Sequence, residues 1–274
     1  MKQKEIRNIT YDADLNIEAY NFQGIMQKFP NHFHDYYVIG FISEGKRRML
    51  CNNCSYIISE GDLILLNPKD NHACEQINDE PLNYKCLNIL PEVMKKCVSE
   101  ITGSERFPVF DEPMVCRSAL APKLAELHMM IMNGENDLIK EETFLLFIAR
   151  LIEEYAVKAS TAANVHRSKA SKLVCGYLEE NYSRNISLDE LSRLSGMSKF
   201  HLLRSFTRQN GISPYGYLST VRIDKSKKML KEGVSLVDTA LETGFSDQSH
   251  FSNVFKKFTG LTPGQYMKTF STGE

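Results

Sequence analysis

Apolar positions fall in short alternating runs through residues 20–90 and change to helical spacing after about residue 119. GFISEG, KRRMLC, SYIISE and DLILLNP are rich in β-branched, aromatic and aliphatic residues, and Glu-Gly, Asn-Asn and Glu-Gly turn signals separate them. Strands at that spacing predict a small barrel or sandwich. From Ala119 to Ala159 the apolar residues recur three and four apart, Leu145, Ile148, Leu151, Ile152 and Tyr155 among them, which predicts amphipathic helix. KASTAANVHRS, residues 158–168, is small and polar and predicts a linker, and every later segment has helical spacing. The expected class is α+β. An N-terminal β-barrel with following helices fills residues 1–157, a linker covers 158–167, and an all-α domain fills 168–274.

Composition adds limits. With 274 residues, 42% of them apolar, the chain can fill two cores. No run approaches 18 apolar residues, so no membrane partner is expected. The start, MKQKEIRNITYDADL, lacks the apolar stretch of a signal peptide. Seven cysteines, an odd number in a chain of this size, fit reduced thiols in a cytoplasm. The net charge of −1 conceals an asymmetry: residues 1–160 carry 17 basic and 24 acidic side chains, residues 161–274 carry 16 and 10. Only the second half is suited to a polyanion.

That half contains a repeat. SLDELSRLSGMSKFHLLRSFTRQNGISPYGYL begins at Ser187, and SLVDTALETGFSDQSHFSNVFKKFTGLTPGQYM begins at Ser235. Ser187, Leu188 and Gly196 match Ser235, Leu236 and Gly244 at an offset of 48; His201, Phe206, Gly211, Pro214 and Tyr217 match their counterparts at 49. In each copy a serine suits an N-cap and a small residue, Ser192 or Ala240, allows close helix approach. A glycine, Gly196 or Gly244, then suits a tight turn before a second helix. Helix, short turn, helix is the helix-turn-helix plan.

At 100° per residue, Leu202 and Phe206, like Phe251 and Phe255, share one face and are expected in the core. The opposite arc carries Phe200, Leu203, Arg204 and Thr207 in the first copy and Ser249, Ser252, Asn253 and Lys256 in the second. Arginine can read guanine and asparagine adenine in a major groove, and Phe200 and Leu203 can meet thymine methyls. Lys199, Arg208, Gln248 and Lys257 lie beside the arc, placed for phosphates.

Residues 168–270 resemble the AraC/XylS family of bacterial regulators, most closely in GFSDQSHFSNVFKKFTGLTPGQYM. The resemblance implies two such units joined by a long helix, here about Pro214 to Glu232, both entering the major groove on one DNA face. Arg222 matches a position where that family usually has Arg. Thr239 and Ser226 depart from its usual aliphatic and Ala. The implied protein is a cytoplasmic, dimeric transcription regulator of double-stranded DNA with no enzymatic activity; activator is the mode expected, with repressor left open by the sequence.

Residues 24–74 resemble a cupin, a small β-barrel used as a sensor by many such regulators, through PNHFHDYYVIGFISEG and GDLILLNPKDNH. His32 and His34 supply the His-x-His of metal-binding cupins and His72 the later His, but Val38 occupies the Glu position. Period two puts His32 and His34 on one strand face. With His72 they could hold a divalent metal, making a metal-sensing regulator or metal-dependent cupin enzyme the alternative function. The missing Glu favours an organic effector, walled by Tyr36, Phe41 and Leu65, with a protonated His pairing any carboxylate. Cys51 and Cys54 flank Asn-Asn as a two-residue hairpin turn; neither they nor Cys74 and Cys86 have a diagnostic metal spacing. The stripe Ile148, Leu151, Ile152, Tyr155 is the candidate homodimer contact.

Overall fold

The alternating runs form antiparallel sheet in a computed structural model of the chain, which describes residues 5–103, 105–135, 138–157 and 168–270. The strands are β1 (Ile6–Asp12), β2 (Ile17–Ile25), β3 (Phe29–His32), β4 (Tyr37–Glu44), β5 (Lys46–Cys51), β6 (Cys54–Ser59), β7 (Leu63–Leu66), β8 (His72–Gln76), β9 (Leu82–Ile89) and β10 (Met114–Val115). One sheet has the order β1-β2-β9-β4-β7-β10, the other β3-β8-β5-β6. Asn52 and Asn53 take φ of 47° and 69°, the two positive values a tight hairpin turn requires, and place Cys51 opposite Cys54.

Period two divides the larger sheet into two faces. Ile17, Ala19, Ile39, Phe41, Leu63, Leu65 and Leu87 pack against three helices, α1 (Pro91–Thr102), α2 (Ala121–Met132) and α3 (Leu138–Tyr155). Tyr20, Phe22, Val38, Ile42, Ile64, Leu66 and Cys86 face the barrel interior. The candidate dimer stripe lies in the first of these cores. Ile148 and Leu151 are fully buried there and Ile152 and Tyr155 pack against it, so the stripe holds α3 in this core beside α1 and α2 and is not an open face. The exposed apolar residues of α2 and α3 are instead Met129, Leu138, Ile139 and Leu146.

The second half is all helical: α4 (Lys169–Glu180), α5 (Leu188–Ser195), α6 (Lys199–Asn210), α7 (Pro214–Lys231), α8 (Leu236–Glu242), α9 (Gln248–Thr259) and α10 (Pro263–Lys268). The expected linker at 158–167 lies outside the described residues. Ser187 caps α5 in a reciprocal box with Glu190, and Ser235 caps α8 through the Asp238 N–H. Gly196 ends α5 in the left-handed region, whereas α8 stops at Thr243, one residue before Gly244. The departures Ser226 and Thr239 are buried and bonded: Ser226 Oγ reaches the Arg222 carbonyl and Thr243 Oγ1, and Thr243 in turn reaches the Thr239 carbonyl. Arg222 is spent on structure, donating to the carbonyls of Tyr182 and Arg184.

The cores cross from one half to the other. Barrel residues share a cluster with Ile223, Phe251, Phe255 and Tyr266, and Phe33, from the loop after β3, lies in the core of the first helix-turn-helix unit with Leu202, Phe206 and Tyr217.

Within the first half, α3 is tied to β1 by a buried ion pair, Lys140 Nζ to Asp12 at 2.7 Å, with Asp14 at 3.1 Å. Lys140→Met keeps the stem and removes the charge, leaving the buried Asp12 carboxylate with the Leu15 N–H but no cation beside it. The expected cost is about 3–5 kcal/mol, read as a lowered urea midpoint with unchanged slope.

Candidate functional site

Three imidazoles meet inside the barrel. His32 ends β3 directly opposite His72 at the start of β8, and His34 follows two residues on. Ring centroids lie 4.3 Å apart for His32–His72, 4.8 Å for His32–His34 and 5.1 Å for His34–His72, and one ring nitrogen from each falls within 4.8 Å of the others. His32 Nδ1 approaches the Pro30 carbonyl at 2.6 Å and His72 Nδ1 the Asp70 carbonyl at 3.0 Å. A proton on Nδ1 satisfies both contacts and leaves Nε2 basic. His34 stacks on Tyr36 at 4.7 Å. Burial holds all three imidazoles below their ordinary titration range, and neighbouring positive charge lowers His32 and His34 further. They are neutral at physiological pH, so the expected protonated His for a carboxylate is not what this site offers.

They line a cavity of about 120 Å³ walled by Tyr20, Phe22, Val38, Ile64, Leu66 and Tyr84. Val38, in the place of the absent Glu, faces this cavity. Tyr36 lines it as expected, but Phe41 and Leu65 do not: one step of strand parity sends both to the helix-covered face.

The cavity is closed by the other half of the chain. Lys227 of α7 and Phe258 and Thr259 of α9 complete the wall. Lys227 Nζ donates to Tyr36 OH at 2.6 Å, stands 4.0 Å from Glu18, and lies over the rings of Tyr36, Tyr266 and Tyr20 at 4.7, 5.3 and 5.5 Å. Glu18 also accepts from Tyr266 OH at 2.6 Å and Tyr20 OH at 3.0 Å. Sequence reasoning missed Lys227, Glu18 and Phe258, because their roles arise only when the two halves dock. Burial pushes the thiols of Cys51, Cys74 and Cys86 up to about 12, which suits inert packing, and the CxxC pair joins no cluster of three or more metal-ligating groups among the described residues.

In the helical half, the expected reading residues are open. Lys199, Phe200, Leu203, Arg204, Thr207 and Arg208 on α6 and Gln248, Ser249, Asn253, Lys256 and Lys257 on α9 are exposed, with Ser252 half-buried. Leu202, Phe206, Phe251 and Phe255 are in the core as expected.

Residues 14–148 match the family described as AraC-like ligand binding domain, and residues 191–269 the family described as helix-turn-helix domain. The HTH-type transcriptional regulator YbfI of Bacillus subtilis is 50% identical over 248 residues, covering 90% of each chain. The HTH-type transcriptional activator RhaS of Escherichia coli is 25% identical, covering 86% of each. Among solved structures, ToxT of Vibrio cholerae superposes with a TM-score of 0.52 at 18% identity over 94% of this chain and 99% of its own. A second ToxT structure, bound to an unsaturated fatty acid, matches at 0.52 and 17% over 100% and 98%. At those identities the likeness is one of fold.

The neutral imidazoles predict acid sensitivity. The unfolded chain takes up protons near 6.5, which the folded chain refuses. Stability is therefore full above that value and is lost as pH falls below it. His128, buried against the Tyr20 carbonyl and held down to about 4, adds to the effect. Melting temperature should drop between pH 7 and pH 5, and the drop should shrink in His128→Gln. A flat profile over that range would contradict the assignment.

Proposed function

We infer, for a chain that belongs to the AraC family of helix-turn-helix transcription regulators, that the effector is a small carboxylate with an apolar body. The family pairs an effector-binding N-terminal domain with a DNA-binding C-terminal one, and this chain has both. That membership sets aside the cupin-enzyme reading. The observation that carries the effector class is Lys227: an ammonium group supplied by the DNA-binding half to the wall of a cavity whose other polar lining groups, imidazoles among them, are uncharged. An incoming carboxylate takes the place of Glu18 and Tyr36 as its partner. The cavity volume, near the roughly 150 Å³ of an apolar cavity that binds benzene, suits a single ring or short chain. ToxT's occupation by a fatty acid supports the same headgroup with a longer tail. A ligand that binds one arrangement of Lys227 better than another shifts the DNA-binding half with it.

The DNA contacts proposed are Arg204, Phe200, Leu203 and Thr207 on α6 and Asn253, Ser249, Ser252 and Lys256 on α9 for bases, with Lys199, Arg208, Gln248 and Lys257 on phosphates. Residues 168–274 form the DNA-binding domain and 1–157 the sensor. RhaS, named as an activator, supports activation as the mode. A homodimer through the exposed apolar residues Met129, Leu138, Ile139 and Leu146 is proposed in place of the buried stripe.

A second reading has one observation in its favour: the three neutral imidazoles with converging nitrogens fit a borderline divalent ion such as zinc. They would bind it and keep at least one position open toward the cavity.

Two experiments test these readings. Arg204→Ala should cost about 1–3 kcal/mol at the cognate site and little on random DNA; equal loss on both would reduce Arg204 to a phosphate contact. Benzoate and short branched carboxylates should raise the melting temperature of the metal-stripped full chain, and Lys227→Met should abolish that rise. A rise that instead requires stoichiometric zinc, lost in His34→Ala, would favour the metal reading.

A further inference from the structure

We propose that Gln27 and Asn31 are positioning residues for DNA recognition, each holding the C-terminal end of one reading helix. Helices α6 and α9 are repeat equivalents, and both end in a glycine in the left-handed region, Gly211 at φ 68° and Gly260 at φ 79°. The last carbonyls of a helix lack intrahelical partners, and here the barrel supplies donors at both ends, adding at Lys256 to the bond its carbonyl already accepts from the Gly260 N–H. Asn31 Nδ2 donates to the Gly211 carbonyl at 2.8 Å. Gln27 Nε2 donates to the carbonyls of Lys257 and Lys256 at 3.0 and 3.2 Å. The Arg7 guanidinium donates to the Gly260 carbonyl and, at 2.9 Å, to Gln27 Oε1, which fixes the direction of the Gln27 amide.

The approach is close at both ends. A Cβ at Gly211 would meet Asn71 Nδ2 at 2.6 Å, and one at Gly260 would meet Arg7 Nη1 at 2.9 Å. Only three residues separate Gln27 from Asn31, so one short piece of backbone spans the ends of both reading helices. Lys256 and Lys257, whose carbonyls Gln27 holds, carry two of the proposed DNA contacts. The grip leaves the reading faces clear: Phe200 is 74% exposed, and Arg204 and Asn253 are exposed. The contacts therefore set where the helices lie without covering what they read.

The same piece of chain has a second face. Phe29, His32, His34 and Tyr36 line the cavity, and a register irregularity between Phe29 and His32 turns Asn31 outward between them. The link from cavity to helix ends rests on the effector reading given above; the positioning role does not.

The test uses the full chain without ligand, on a duplex selected from a random pool. Arg204→Ala and Asn253→Ala identify the half-sites read by α6 and α9 through the base substitutions to which each variant becomes indifferent. Asn31→Asp and Gln27→Glu then remove each donor with little change of shape. Asn31→Asp should weaken binding about three- to tenfold through the α6 half-site alone, and Gln27→Glu by a similar factor through the α9 half-site alone. Asn31→Ala and Gln27→Ala should repeat the pattern, which keeps the test open if a new carboxylate impairs folding. A general loss of barrel stability would weaken both half-sites together. Equal loss at both, or none at either, would overturn the proposal, while loss of the carboxylate response alone would overturn only the effector reading.

Discussion

An ammonium group enclosed among aromatic rings costs several kcal/mol unless it is paired, and Lys227, 8% exposed, is such a group. Its partners all lie near the barrel wall: Glu18 and Tyr20 on β2, Tyr36 before β4, and Tyr266 reaching across from α10 to share Glu18. Satisfying one cation thus fixes α7, α10 and the barrel relative to one another. The enclosure of the cavity, the placement of Phe258 on the His32 ring at 5.8 Å and the short approach of both reading helices to the barrel follow from that docking. Regulation by a ligand needs a contact whose partners can be exchanged, and a cation held by a neighbouring carboxylate and a phenol meets that need.

Much of the fold was legible because local chemistry decided it. The serine caps, the Asn-Asn turn and the separation of Leu202 and Phe206 from Arg204 depend on residues within one turn or one helix period of each other. The repeat made the helical half legible twice over, so even an extra residue in its second turn could be placed. His32, His34 and His72 were legible as a cluster from their spacing; register pairs His32 with His72, while His34 joins them from the loop after β3 rather than by strand period.

What failed was set by longer-range packing. Phe41 and Leu65 have the size and polarity of pocket residues, but parity along β4 and β7 assigns the cavity to Val38, Ile42, Ile64 and Leu66. Polarity alone does not distinguish the two faces of a strand covered on both sides. The stripe through Ile148 and Leu151 has the same ambiguity: a helix presents one apolar face whether it meets its own domain's core or a second copy. Lys227 was invisible for the opposite reason. On a helix rich in lysine it looks solvated, and only docking gives it three aromatic rings and a carboxylate.

The two helix ends held by the barrel differ in quality. At α9, Gln27 and Arg7 between them satisfy the carbonyls of Lys256, Lys257 and Gly260. At α6 a single bond from Asn31 reaches Gly211, while Asn31 Oδ1 and both polar atoms of the Asn71 amide are buried without a protein partner. A buried polar atom left unpaired costs about 1–3 kcal/mol, so the α6 end is the less well hydrogen-bonded of the two, and Phe33, packed beside Leu202 and Phe206, holds that side by apolar contact instead. Asn31 lies one residue before His32, whose ring lines the cavity. Phe258 and Thr259 put α9 itself on the cavity wall, whereas α6 meets that wall only through Asn31, covalently next to His32, so the two reading helices are linked to what the barrel holds by different routes.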